Sequence, residues 1–264
     1  MIANILSIAG TDPSGGAGIQ ADLKTFSALG TYGMAVITAV VAQNTRGVRS
    51  FQALDASFVG DQIDAVLDDV RVDAVKIGMV ANAEIARTIA ERIERYALRN
   101  VVVDPVMAAK SGDPLLAPDA VAAVRDGLVP RARVITPNLP EAGLLLDCAP
   151  ARTLEDMENS ARALHRLDSD WVLLTGGHLK GAESVDALCS ENYLDFIRAD
   201  RIDTKNDHGT GCTLSSAIAA KLPFKPVPKA VADAKRYLSA ALAASDQLQV
   251  GGGHGPVHHF YASA

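Results

Sequence analysis

The chain has 264 residues, 48% of them hydrophobic and 21% charged, and a net charge of −6. This excludes disordered and low-complexity classes and allows a large core. The acidic balance argues against general nucleic-acid binding, so a phosphate site has to be built locally from backbone N–H groups, a few lysines and a metal ion. Cys148, Cys189 and Cys212 lie far apart without Cys-x-x-Cys spacing, which disfavours a disulfide framework or a zinc site and suits a reducing compartment. Met1-Ile2-Ala3-Asn4 has no basic region, and the longest apolar run, Met34 to Ala42, is far too short for a bilayer. A cytoplasmic protein forming a single domain over residues 1–264 is expected, with no membrane partner.

In chain order, Ile5 to Ala9 reads as a buried strand running into the glycine loop from Gly10 to Gly18. Ile19, Leu23, Phe26 and Leu29 then mark one face of a helix that stops at Gly30, with Asp22 just off that face. The loop fails as a P-loop because Gly15 is followed by Gly16-Ala17 rather than Lys and Ser/Thr, and it lacks the dinucleotide fingerprint. Met34 to Ala42, apolar throughout, predicts a strand buried on both faces and ending at Gln43. A helix over 58–70 leads to the strand Ala74 to Ile77. A second over 83–98 leads to Val101-Val102-Val103 and Asp104. This βαβα alternation predicts an α/β fold with a mainly parallel sheet.

Lys110 to Pro114 is a polar, breaker-rich excursion with the character of a flap. A short helix over 118–127 precedes Val134-Ile135, which ends in Thr136 to Glu141. A helix over 154–167 precedes Trp171 to Leu174 and then Thr175-Gly176-Gly177-His178. Val185 to Cys189 and Tyr193 to Ile197, around Glu191-Asn192, read as a hairpin that adds antiparallel strands at one sheet edge. The strands thus end in Gly10/Asp12, Gln43, Met79, Asp104, Asn138 and Thr175/Gly177, and the carboxyl ends of a parallel sheet are where ligands bind. Asp104 and Glu141, each just past a buried strand, offer oxygen ligands for a hard cation that keeps most of its waters and bridges nucleotide phosphates.

The chain is organised around Lys205 to Cys212, which runs into a helix striped by Leu214, Ile218 and Leu222. The Gly209-Thr210-Gly211-Cys212 turn places unpaired N–H groups and the positive end of the helix dipole where an anion such as a phosphoryl group can bind. In that field the Cys212 thiol is expected to have a lowered pKa and to act as a base or a proton-sharing partner beside the anion. His254, His258 and His259 are expected to be packing or surface residues rather than a metal tail.

Several stretches resemble the bacterial hydroxymethylpyrimidine/phosphomethylpyrimidine kinases of the ribokinase-like superfamily. They are Ala9 to Asp22, Val41 to Thr45, Lys76 to Met79, Asp104 to Met107, Thr136 to Glu141, His208 to Cys212 and Gly253 to Val257. The likeness runs in order over essentially the whole chain and implies a three-layer α/β/α fold with a mainly parallel central sheet and an antiparallel edge hairpin. It also implies ATP-dependent phosphorylation of 4-amino-5-hydroxymethyl-2-methylpyrimidine, first to the monophosphate and then to the diphosphate, in thiamine biosynthesis.

The same resemblance implies that Gln43 hydrogen-bonds the aminopyrimidine while Gly10, Asp22, Met79 and Val106 line its pocket. It assigns nucleotide phosphates and Mg2+ to Asp104, Asn138, Glu141, Thr175, Gly177 and Lys205, and the anion hole to Gly209, Thr210, Gly211 and Cys212. Lys110 is a candidate for neutralising phosphate, and a homodimer is implied. Cys212 stands where most of the superfamily has an aspartate base. A pyridoxine/pyridoxal kinase, or a non-catalytic pyrimidine-binding sensor, are the alternatives.

Overall fold

The computed structural model describes residues 1–107 and 118–262. Its main sheet contains β1 (Asn4–Ala9), β2 (Tyr32–Ile37), β5 (Ala74–Ile77), β6 (Val101–Val103), β7 (Val134–Ile135), β8 (Val172–Thr175), β9 (Glu183–Ser190) and β10 (Tyr193–Asp200). The order is β10-β9-β8-β7-β6-β5-β1-β2, parallel from β2 through β8, with β9 and β10 antiparallel at the far edge. The predicted edge hairpin is therefore present.

Alternation along the strands explains the layers. Leu6, Ile8, Val75, Ile77, Val101, Val103, Ile135, Val172 and Leu174 face a core shared with α2 (Ala56–Leu67), α3 (Ala83–Arg95), α5 (Leu139–Leu146) and α6 (Leu154–His165). Ile5, Ala74, Val102, Val134 and Leu173 face the opposite core, shared with α1 (Gly18–Ala28), α7 (Thr210–Lys221) and α8 (Val227–Ala243). Both faces are covered, which is why the central strands read as continuous apolar runs. Lys76, between Val75 and Ile77, consequently points toward α1 and α7. On the other side, α4 (Pro118–Ala123) continues through a π-turn over Val124–Leu128 and packs on α3.

The run Met34 to Ala42 corrects the sequence reading. It is not one doubly buried strand, because the chain turns out of the sheet at Thr38, whose N–H donates to the Ala9 carbonyl and whose hydroxyl donates to the Met79 carbonyl. Beyond it, β3 (Ala39–Asn44) pairs with β4 (Gly47–Ala53) in a separate two-stranded sheet, with Val40 half exposed. Hydrophobicity does not register this departure, because one threonine side chain sets it. Two helices also escape the periodicity reading. In α5, Asn138 and Glu141 form a reciprocal capping box with Pro140 in the first turn, and α8 presents Val227, Val231 and Leu238 to the core.

Candidate active site

The glycine loop between β1 and α1 is folded around one carboxylate. Asp12 is fully buried; its Oδ1 accepts from the Ser14 N–H and hydroxyl, and its Oδ2 from the Gly16 and Ala17 N–H groups. Oδ2 also lies 2.8 Å from His208 Nε2. Burial works against the charge, but the bonds from His208 and Ser14 win and hold the carboxyl well below the usual range. Behind the loop, Gly18 sits on Gly10: the Ile19 N–H donates to the Gly10 carbonyl, and a Cβ at Gly18 would lie 2.4 Å from that oxygen.

At Gly10 a Cβ would meet the Met79 sulfur at 3.1 Å and Val41 at 3.7 Å. The glycine therefore lets the end of β1 pack closely against Met79, just past β5, and Val41 on β3. The hairpin is held there by Thr11, whose N–H donates to the Ala39 carbonyl and whose hydroxyl accepts from the Val41 N–H. Half-buried Gln43 stands two residues further along β3, just past a bulge, and half-buried Val106 packs against the same core as Met79.

Asp22 is placed differently from its expected role as a pocket wall. It is fully buried, with Oδ1 accepting from Ser216 and Lys76 and Oδ2 from Ser7 and Lys76. Those bonds occupy the acceptor sites of the carboxylate, so Asp22 acts on the site through Lys76.

The turn before α7 is built by close backbone approach. Gly209 is left-handed (φ 78°), and a Cβ there would lie 1.8 Å from the Gly16 carbonyl oxygen, which only glycine permits. The helix has no side-chain cap, so the amides of Thr210, Gly211 and Cys212 face the rim. Asp104, past β6, lies beside them: a Cβ at Gly211 would be 3.8 Å from its Oδ2, which accepts from the Ser215 hydroxyl. Burial pushes the Asp104 carboxyl up, against the pull of Lys76 and Ser215. Glu141 is pushed up to about 8, first by burial and then by the Asp104 charge, while the Asn138 and Met107 amides oppose the shift.

The Cys212 expectation is reversed. Although the residue as a whole is only half-buried, burial dominates and pushes the thiol up to about 12, with the Asp104 and Asp22 charges adding to the rise. Lys76 and the Gly18 N–H, which donates to the sulfur, oppose it. Loss of water and two buried carboxylates disfavour the thiolate here, influences that the position at a helix start does not reveal.

Asn138 bridges Thr175 across the ends of β7 and β8, and Gly177 lies two residues beyond Thr175. Arg201 grips this segment, donating to the carbonyls of Gly177, Leu179, Gly181 and Glu183 at 2.6–3.1 Å. Lys205 is exposed on the segment leading into α7. Lys110 lies outside the described residues. Among the described residues no group of three or more His, Cys, Asp or Glu is arranged to hold a metal, and no helix is long and apolar enough to cross a membrane. His254 pairs with Asp207 at 2.8 Å at the surface, and buried His259 bonds Thr213 as a packing group.

Sequence reasoning missed Lys76, the Asp12–His208 bond and Arg201. A lysine inside an apolar strand was the one signal on the page for the first. Nothing local marks the other two.

The sequence pattern of phosphomethylpyrimidine kinase matches residues 12–258. The chain is 56% identical over 260 residues to the hydroxymethylpyrimidine/phosphomethylpyrimidine kinase of Escherichia coli, covering 98% of each. Among solved structures it resembles an ADP complex of Bacillus subtilis pyridoxal kinase (TM-score 0.92, 37% identity, covering 100% of this chain and 99% of that one). It also resembles phosphomethylpyrimidine kinase from Clostridium difficile (TM-score 0.81, 44% identity, covering 91% and 99%).

Proposed function

The chain belongs to the phosphomethylpyrimidine kinase family, and on that premise we propose that it makes the pyrimidine diphosphate used in thiamine biosynthesis. It transfers the γ-phosphoryl group of ATP to the hydroxymethyl group of 4-amino-5-hydroxymethyl-2-methylpyrimidine, then a second phosphoryl group to the monophosphate. The observation that carries this reading is the contact of an acceptor cleft with an anion turn. Gly10, packed against Met79 and Val41, supports Gly18, and the same loop meets the α7 turn where Gly16 lies against Gly209. A hydroxymethyl group on a ring held in that cleft meets the uncapped α7 turn.

In each transfer the acceptor oxygen bonds to the γ-phosphorus, the bond to the bridging oxygen of ADP breaks, and the amides of Gly209 to Cys212 stabilise charge on the moving group. Asn138, Thr175, Gly177 and Lys205 hold the nucleotide phosphates. Asp104 and Glu141, two buried carboxylates of which one raises the other, fit a hard cation that separates them. Mg2+ at these residues supplies charge neutralisation between the carboxylates and the phosphates.

Cys212 is mostly protonated at neutral pH, so only a small thiolate fraction is available to take the proton of the hydroxymethyl group. A loose transition state requires little more. The second acceptor, a monoester with a second pKa near about 6, is already mostly ionised. Cys212→Ala should therefore slow the first transfer much more than the second; equal losses would make the cysteine purely structural.

Mass analysis of products from MgATP with the pyrimidine or with pyridoxine tests the assignment. Successive mono- and diphosphates of the pyrimidine are expected. The likeness to pyridoxal kinase supports a second reading, which a monophosphate alone, with pyridoxine preferred, would establish. Absence of ATP turnover with either ring bound would leave a pyrimidine sensor.

A further inference from the structure

Lys76 is one of the largest fully buried side chains in the protein, and phosphoryl transfer as described above makes no use of it. Its Nζ lies 3.0 Å from both oxygens of Asp22. A Cβ at Gly78 would come within 2.7 Å of the same nitrogen. The ammonium has therefore folded up along β5 to the carboxyl end of the strand, directly under the rim. Ser215 and Ser216, consecutive on α7, divide between two carboxylates: Ser215 bonds Asp104 and Ser216 bonds Asp22. The buried pair and the rim acid are thus tied to one turn of one helix, a few residues after Cys212.

The charge is felt above. The Asp22 carboxylate lies on α1 while the Lys76 Nζ reaches the Gly78 backbone at the end of β5, so the ammonium is the end of the pair that lies toward the rim. As a source of stability such a pair is poor, because apolar residues of similar size often do as well or better in a core. Around Val75, Ile77 and Val102, apolar residues already fill this sheet.

We infer that Lys76 is a positioning residue for phosphoryl transfer. It is a fixed cation, oriented by Asp22, Ser7 and Ser216, that forms an electropositive floor beneath Asp104 and Cys212 and favours the arrangement in which negative charge gathers above it. The inference rests on the phosphotransferase reading of the site.

The test removes the charge while keeping the core neutral. Lys76→Met alone strands the Asp22 carboxylate and should fold poorly. The double variant Lys76→Met/Asp22→Asn leaves no unpaired charge and should melt within a few degrees of wild type. Its kcat for phosphorylation of the pyrimidine by MgATP should fall about 30-fold, with KM for both substrates within about threefold, a smaller loss than removal of a direct oxyanion donor. A folded double variant with kcat within about twofold of wild type overturns the inference, since the pair would then be structural only. Lys76→Gln, which keeps a donor to Asp22 without the charge, is measured in parallel on its folded fraction under the same criterion and decides the matter if the double variant does not fold. Wild-type protein that transfers no phosphate to the pyrimidine would instead overturn the functional reading itself.

Discussion

Two glycine-bearing turns sit on the same rim, each feeding a helix, and they do opposite things. Before α1, Asp12 turns back into its own loop and takes the N–H groups of Ser14, Gly16 and Ala17. Its amides are satisfied internally, and the loop closes on itself beside the proposed acceptor site. Before α7, Gly209 starts the helix with no side-chain cap, so the first amides of that helix have no capping side chain as acceptor. One carboxylate within reach of the backbone separates a turn closed on itself from the turn proposed to bind phosphate. A glycine-rich sequence ahead of a helix is therefore only half of an anion site; the other half is the absence of a competing acceptor. The two turns are also in backbone contact, Gly209 against Gly16, and are joined by the Asp12–His208 hydrogen bond.

Breaking that contact should have the largest effect. Gly209→Ala places a methyl against the Gly16 carbonyl in a left-handed conformation, and should cost roughly 3 kcal/mol or more in denaturant unfolding and abolish kinase activity. An Ala variant with wild-type stability would show that the turns move apart freely.

Asp12→Asn comes next, at about 2 kcal/mol, because the amide puts an N–H against other N–H groups. It also has a pH signature. The folded pKa is lowered, so the contribution of Asp12 is present above the unfolded value near about 3.9 and is lost as pH falls through the folded value. Unfolding free energy below about pH 4 should therefore fall less steeply in the Asn variant than in wild type.

Gly211→Ala sharpens the contrast from the ligand side. Its methyl would meet Asp104 at an ordinary van der Waals distance of 3.8 Å, so melting should be unchanged. It intrudes on the anion space, however, and kcat/KM for ATP should fall about tenfold, a loss of about 1.4 kcal/mol.

The smallest effect concerns His259, which ties the first turn of α7 through Thr213. Burial, followed by the Lys24 and His258 charges, lowers it to about 4. The unfolded chain thus binds a proton that the folded one refuses between about pH 6.5 and that value, and stability falls as pH drops across the window. His259→Gln should remove about 1 kcal/mol of this loss at pH 5.5, read from unfolding at pH 5.5 against pH 7.5.

The sequence by itself determined the frame and the rim. Apolar runs of strand length alternating with helical stripes specify a parallel sheet covered on both faces, and the residues that end those runs, Gln43 excepted, lie at its carboxyl edge. The edge hairpin was legible from two short β-rich runs around Glu191-Asn192, and the start of α7 from glycines placed ahead of a striped helix. These are local signals, written in periodicity and turn chemistry.

Only the tertiary structure decided the rest. Thr38 takes β3 out of the sheet to stand beside the proposed acceptor site; Asp22 is buried against a lysine 54 residues away; Asp12 meets a histidine 196 residues away. The Cys212 thiol is raised where a helix start alone would lower it. Charge and proton affinity depend on what surrounds a group and how much water it has lost, and distant segments supply both. A sequence can place a side chain on a helix or a strand, but its electrostatic surroundings exist only once the chain has folded.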